Sequence, residues 1–232
     1  MENRMNRIEV PGAQEMVARP RSRRDFFKSL AVAGAGAAVA SSVFSRKAFA
    51  QGAGGDVDIA NFALTLEYLE AEFYSLALEA GVLTGDALAV VENLADHEQQ
   101  HVDAIIGLLE GAGATPVEKP EFIFPPEALA SQAGVLNTAI TLEPVGVGAY
   151  LGAAPLIQSP DILAAAGSIA GVEGEHVVAV NNLLGVVPPA QEAFPAALTM
   201  DEVLAAVSPF IMGGMMETGG EEYRDPSSFG RV

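Results

Sequence analysis

Residues Ala95–Leu109 read ADHEQQHVDAIIGLL, and 75 positions later Ala170–Leu184 read AGVEGEHVVAVNNLL, aligned without a gap. Each copy carries Glu-x-x-His: Glu98 and His101 in the first, Glu173 and His176 in the second. The residues around them step by three and four. Val91, Leu94, Glu98, His101, Ile105 and Leu108 make one seam; Ala166, Ile169, Glu173, His176, Val180 and Leu183 make the other. That period is the buried stripe of a helix, so each Glu/His pair sits one turn apart on an inward face.

The duplication extends upstream. Glu67 is followed seven residues later by Tyr74, and Glu143 by Tyr150, at an offset of 76. Apolar residues keep helical spacing through about 58–80, 86–110, 128–154 and 161–185, with a shorter segment at 200–213. Gly81 and Gly111 close the first two segments, and Thr84 with Asp86 opens the second. Ser159-Pro160-Asp161 reads as an N-cap with proline at the first helical position, and Thr199-Met200-Asp201-Glu202 has capping-box spacing. No alternating Val/Ile/Thr run is long enough for a strand. Short links make segments 1–2 and 3–4 antiparallel hairpins, hence a duplicated hairpin about a pseudo-two-fold site.

Between the hairpins lie about 16 residues rich in Pro, Gly and Phe, from Gly111 to Glu127. Extended, they reach about 50 Å. A bundle of such helices is roughly 39 Å long. The linker can therefore run the whole bundle and leave helices 2 and 3 parallel; the alternative is a surface loop in an up-down-up-down bundle.

The stripe of helix 1 holds two acids, Glu67 and Glu70, among Ala60, Ala63, Tyr74 and Ala77. Helix 3 offers Leu136, Glu143, Gly146 and Tyr150, so the repeat partner of Glu70 is a glycine and Glu67 is the preferred site residue. The interior then holds Glu67, Glu98, Glu143, Glu173, His101 and His176. Unpaired ions there cost several kcal/mol each, about the cost of breaking a buried pair. The chain after position 50 has only Lys119, Arg224 and Arg231 to neutralise them. Two divalent cations balance four carboxylates, and one Glu from each of two helices plus Glu-x-x-His from each of the others is a dinuclear ligand set. Oxygen-rich sites with one imidazole per ion favour Fe or Mn. His97 lies off the seam, facing solvent or standing behind a ligand. Tyr74 and Tyr150 are either core fillers or residues that hydrogen-bond a ligand carboxylate or give up one electron in catalysis.

Composition narrows the field further. There is no Cys, which excludes thiol catalysis, thiolate metal sites and a rubredoxin-like electron relay. Nine of the 12 basic residues fall in the first 50 positions; the remaining chain sets three against 26 acids, a net of −23. Nucleic acid and anionic membrane surfaces are poor partners for such a body. The charge concentrates cations or simply solubilises the surface.

Ser22-Arg23-Arg24-Asp25-Phe26-Phe27-Lys28, the weakly apolar stretch from Leu30 to about Phe44, and Ala48-Phe49-Ala50 resemble a bacterial twin-arginine signal with its cleavage site. An uncleaved anchor is the alternative, though about 16 mixed residues are short for a span of roughly 20. Residues 1–50 are thus expected to be an export signal, 51–216 the bundle and 217–232 a tail, with the body periplasmic or otherwise extracytoplasmic and free of the membrane after cleavage.

Asn61 through Tyr74, the two Glu-x-x-His motifs, and Leu142-Glu143 with Gly148-Ala149-Tyr150-Leu151-Gly152 together resemble the ferritin-like superfamily over about 58–185. The likeness is to its exported branch, which includes the plant and bacterial desiccation-related proteins. The resemblance implies an all-α, ferritin-like four-helix bundle with one long crossover between helices 2 and 3, plus a short C-terminal helix. It implies Glu67, Glu98, His101, Glu143, Glu173 and His176 as ligands of two Fe (or Mn) ions, with Glu98 and Glu173 bridging. Two functions follow as expectations: an oxidase or peroxidase consuming O2 or H2O2, or a stress-linked metal-binding protein without turnover. Iron storage requires a cage, which nothing in the sequence predicts, and a homo-oligomeric partner stays open. Pro144, directly after Glu143, is expected to kink helix 3 or restart it, and Gly146, Gly148 and Gly152 to soften it.

Overall fold

The computed structural model describes residues 55–190 and 192–211. The export signal at 1–50 and the tail at 217–232 are readings that lie outside the described residues. Four long helices carry the fold: α1 (Asp56–Glu79), α2 (Gly85–Gly111), α3 (Gln132–Ala153) and α4 (Pro160–Leu183), with a short α5 (Met200–Val207). A single turn at Pro126–Leu129 precedes α3, where the sequence spacing suggested one helix from 128. Gly81, at a φ of 65°, turns the chain out of α1; after α2 the left-handed residue is Gly113 at 72°, two positions beyond the Gly111 expected to stop it.

Three polar ties fix the directions of the helices. The Thr84 N–H at the start of α2 donates to Gln132 Oε1 at the start of α3 (3.1 Å). The Gln158 and Ser159 N–H groups, between α3 and α4, donate to Asp56 at the start of α1 (both 2.8 Å). The Val117 N–H of the crossover donates to Asn61 Oδ1 near the same end (2.7 Å). So α2 and α3 start at one end of the bundle and run parallel. α1 and α4 start at the other.

The crossover lies along α1. After Asn61 it meets Glu72 through Lys119, and its Phe124 ring then stacks at a tilt between Phe73 (5.4 Å) and Phe210 (5.7 Å). Phe122 bridges to Ile211, so the chain after α5 clamps the crossover in place. The capping box at Thr199 and Glu202 forms as its spacing predicts.

α3 neither ends nor restarts at Pro144, which sits inside the helix on its exposed side. There the ring meets solvent rather than the core, and packing on both neighbours holds the turn that has lost an N–H. Its glycines make contacts rather than slack. A Cβ on Gly152 would lie 1.8 Å from the Leu198 carbonyl oxygen, and one on Gly148 would lie 2.5 Å from the Leu198 side chain. The Leu198 N–H donates to the Gly148 carbonyl across that close approach (2.9 Å).

The core is split into two apolar blocks. One gathers Phe73, Leu94, Val135, Ala139 and Val180 with α5; the other gathers Leu64, Ile105, Leu109, Tyr150 and Ile169. Each fully buried Leu or Ile contributes about 1.5–3 kcal/mol. Between the blocks lies a layer of buried acids and histidines.

Candidate metal centre

All six expected ligands reach this layer. Glu98, Glu143 and Glu173 are 0% exposed, Glu67 1%, His176 2% and His101 8%. Their donor atoms fall into two groups of four: Glu67, Glu98, His101 and Glu173, and Glu98, Glu143, Glu173 and His176, each within 4.8 Å of one another. Glu98 and Glu173 belong to both groups. They come from α2 and α4, while Glu67 and Glu143 serve one group each from α1 and α3.

His101 Nδ1 lies 3.1 Å from Glu67 Oε2, from Glu98 Oε2 and from Glu173 Oε1. His176 Nδ1 lies 2.9 Å from Glu98 Oε1, 3.2 Å from Glu143 Oε2 and 3.7 Å from Glu173 Oε2. Donors set about 2.1 Å from one octahedral ion stand about 3.0 Å apart, so this spacing is that of a coordination shell. Direction adds to distance. Glu98 Oε1 and both oxygens of Glu173 are buried without a hydrogen-bond partner, although an imidazole nitrogen stands 2.9 Å from Glu98 Oε1 and 3.1 Å from Glu173 Oε1. Buried polar atoms are rarely left that way. The donor set therefore fits a pair of metal ions.

The tyrosines cross between the hairpins. Tyr74 of α1 donates its hydroxyl to Glu143 of α3, and Tyr150 of α3 donates to Glu67 of α1. Each fixes one oxygen of a single-group carboxylate and leaves the other turned toward an imidazole. Of the alternatives for these tyrosines, the structure shows the hydrogen bond to a ligand carboxylate. Burial, with the neighbouring carboxylates, raises both phenols well above their usual range, so the protons stay on the tyrosines.

Without metal the layer has to hold protons. Burial pushes Glu67 up to about 8 against the opposing pull of His101, and it holds Glu143 well above the carboxylate range. Burial also opposes charge on the imidazoles, but the carboxylates around them prevail and push both His101 and His176 up to about 12. Glu98 overcomes its burial through the two imidazoles and falls to about 2. Divalent ions would replace those protons at the same donor atoms.

Two residues add to the expected set. His97, half-buried, has Nδ1 2.9 Å from His176 Nε2, and its own ring is held by Asn93. His176 can thus point Nδ1 at the carboxylates while its other nitrogen is fixed from behind. Glu70, set aside in the sequence for lack of an acidic repeat partner, is 3% exposed with Oε2 unpartnered. A Cβ on Gly146 would lie 3.4 Å from both Glu70 Oε1 and Glu173 Oε2, so the glycine opposite is the space that Glu70 uses. Its place on the helix 1 stripe, one turn from Glu67, was the signal. Burial and the charges of Glu173 and Glu143 keep its carboxyl well above the usual range.

A four-helix bundle with a long crossover and paired carboxylate–imidazole groups defines a class of metal-binding helical proteins. Residues 55–186 match the Ferritin-like domain family, more than half of the chain, and the protein belongs to that family. No curated protein matches it.

Proposed function

We propose that the protein binds two Fe or Mn ions between its hairpins and consumes O2 or H2O2 at that centre. The observation that carries this reading is the sharing of Glu98 and Glu173 between two four-donor groups, with Glu98 Oε1 and both Glu173 oxygens buried and without a hydrogen bond. Glu98 and Glu173 would help hold both ions, with Glu67 and His101 completing one donor group and Glu143 and His176 the other. A bound pair of such ions supplies two electrons, one from each, enough to take O2 to H2O2 or H2O2 to two water molecules.

The chain's own residues orient and insulate that site. Tyr74 and Tyr150 hold Glu143 and Glu67 in place, and His97 holds His176. The apolar blocks above and below exclude water, which strengthens every charge interaction between them. Two divalent ions would balance the charge of the carboxylates of Glu67, Glu98, Glu143 and Glu173.

Complete burial of the carboxylates also supports a second reading, in which the ions are bound for structure or stress tolerance without turnover. We place either activity outside the cytoplasm, on the strength of the twin-arginine-like segment Ser22–Lys28 and the Ala48-Phe49-Ala50 site. The deciding experiment is to purify the exported protein, measure its metal, and follow O2 and H2O2 consumption. About two Fe or Mn per chain with turnover supports the enzyme, metal without turnover supports the second reading, and a chain that takes up neither metal refutes both.

A further inference from the structure

A cavity of about 40 Å³ opens in the bundle at the end where α1 and α4 begin. Its wall is almost entirely carbon and draws on all four long helices, with Ala63, Leu66, Ile105, Tyr150, Ala166 and Ile169 among the lining residues. Alanines stand at several positions where larger side chains would have filled the space. The cavity is close to the metal centre. Ala63 precedes Glu67 by four residues, Ile105 follows His101 by four, and Ile169 precedes Glu173 by four. One helical turn, about 5.4 Å along the axis, therefore separates the pocket from site residues on three helices. Tyr150 belongs to both: its ring lines the pocket and its hydroxyl donates to Glu67.

The chemistry of the wall selects the occupant. A buried water needs two to four polar partners, and this wall supplies almost none. H2O2, with two O–H donors, would lose its hydrogen bonds on entry. An apolar diatomic loses none. Roughly 10–15 Å³ houses one water-sized sphere, so the space admits a diatomic.

We propose that this pocket binds O2 and feeds it to the metal centre. The inference rests on the dimetal reading above and sharpens it, since it names O2 as the oxidant that reaches the centre from this side.

The test is to press crystals of the native protein with xenon, an apolar stand-in of similar size. A xenon atom is expected among Ala63, Ile105 and Ile169. Ala63→Leu and, separately, Ala166→Leu should remove it. In Fe(II)-loaded protein the same variants should raise the O2 concentration giving half-maximal oxidation, with metal content and oxidation by H2O2 followed as controls for the centre. A xenon-free pocket, or an ordered water in it, in protein that carries its metal overturns this inference alone. So does a native O2 response in whichever filled variant retains its metal. A native protein without metal fails earlier, at metal analysis, and overturns the dimetal reading together with the delivery role.

Discussion

Beside Glu67, the α1–α2 hairpin places a second acid, Glu70; at the equivalent point of the α3–α4 hairpin stands Gly146. Likewise the first hairpin has His97 where the second has Val172. Duplication preserved the six donors and both tyrosines, while the surroundings diverged, and both additions come from the first hairpin. His97 reaches across to His176 of the other copy. The two four-donor groups thus match in their donors and differ in their support. A pseudo-two-fold frame is enough to build the site, and departures from it make the two four-donor groups inequivalent.

The shared residues offer the hardest way to break this comparison. Glu98→Ala or Glu173→Ala is expected to abolish binding of both ions, whereas His101→Ala or His176→Ala should remove one. Metal analysis after Mn(II) titration measures the difference, and equal losses from shared and unshared positions would contradict the arrangement.

Metal removal comes next. In the metal-free protein Glu67, Glu70 and Glu143 are held above their ordinary value of 4.5. The folded state then binds protons that the unfolded chain releases, a stabilisation whole below about pH 4.5 and lost as pH rises through the folded values. The imidazoles act in the same sense, their contribution whole below 6.5 and lost toward about 12. Glu98, depressed to about 2, runs the other way, but its contribution is already complete above 4.5. Chelator-treated protein should therefore show a Tm that falls from about pH 5 to about pH 8. The gain in Tm on adding Mn(II) should grow over the same range, because ions displace those protons. A Tm that rises with pH in chelator would refute the proton-holding account.

His97→Ala should weaken one of the two ions by about 10–100-fold and spare the other, while Val172→Ala leaves both unchanged. Two-site calorimetric titration separates the affinities, and equal weakening of the two would remove His97 as a source of asymmetry. Glu70→Gln is expected to have the smallest effect. An amide copies the neutral acid in shape and charge, so two ions should still bind at near-native affinity. Loss of an ion in this variant would show that Glu70 acts as an ionised ligand.

Much of this was legible in the chain. Glu-x-x-His on an apolar seam faces inward wherever the helix goes, because residues three and four apart share a face. The crossover length allowed parallel helices 2 and 3, and the charge imbalance around the buried acids called for cations. Pro144 does not restart the helix, since whether a proline breaks a helix depends on which side meets solvent and what packs against the remainder. Gly148 and Gly152 of α3, read as softening the helix, serve as close approaches to Leu198.

What the sequence determined by itself was the helix register, and through it the identity and inward facing of the six donors. Those follow from the backbone period, a local property. What only the tertiary structure decided was which oxygen meets which nitrogen, that Tyr74 and Tyr150 cross between hairpins, that His97 backs His176, and that Glu70 occupies the room left by Gly146. These pairings join residues 69 to 83 positions apart, or opposite faces of neighbouring helices. They depend on the rotation and level at which whole helices pack, which no local pattern encodes.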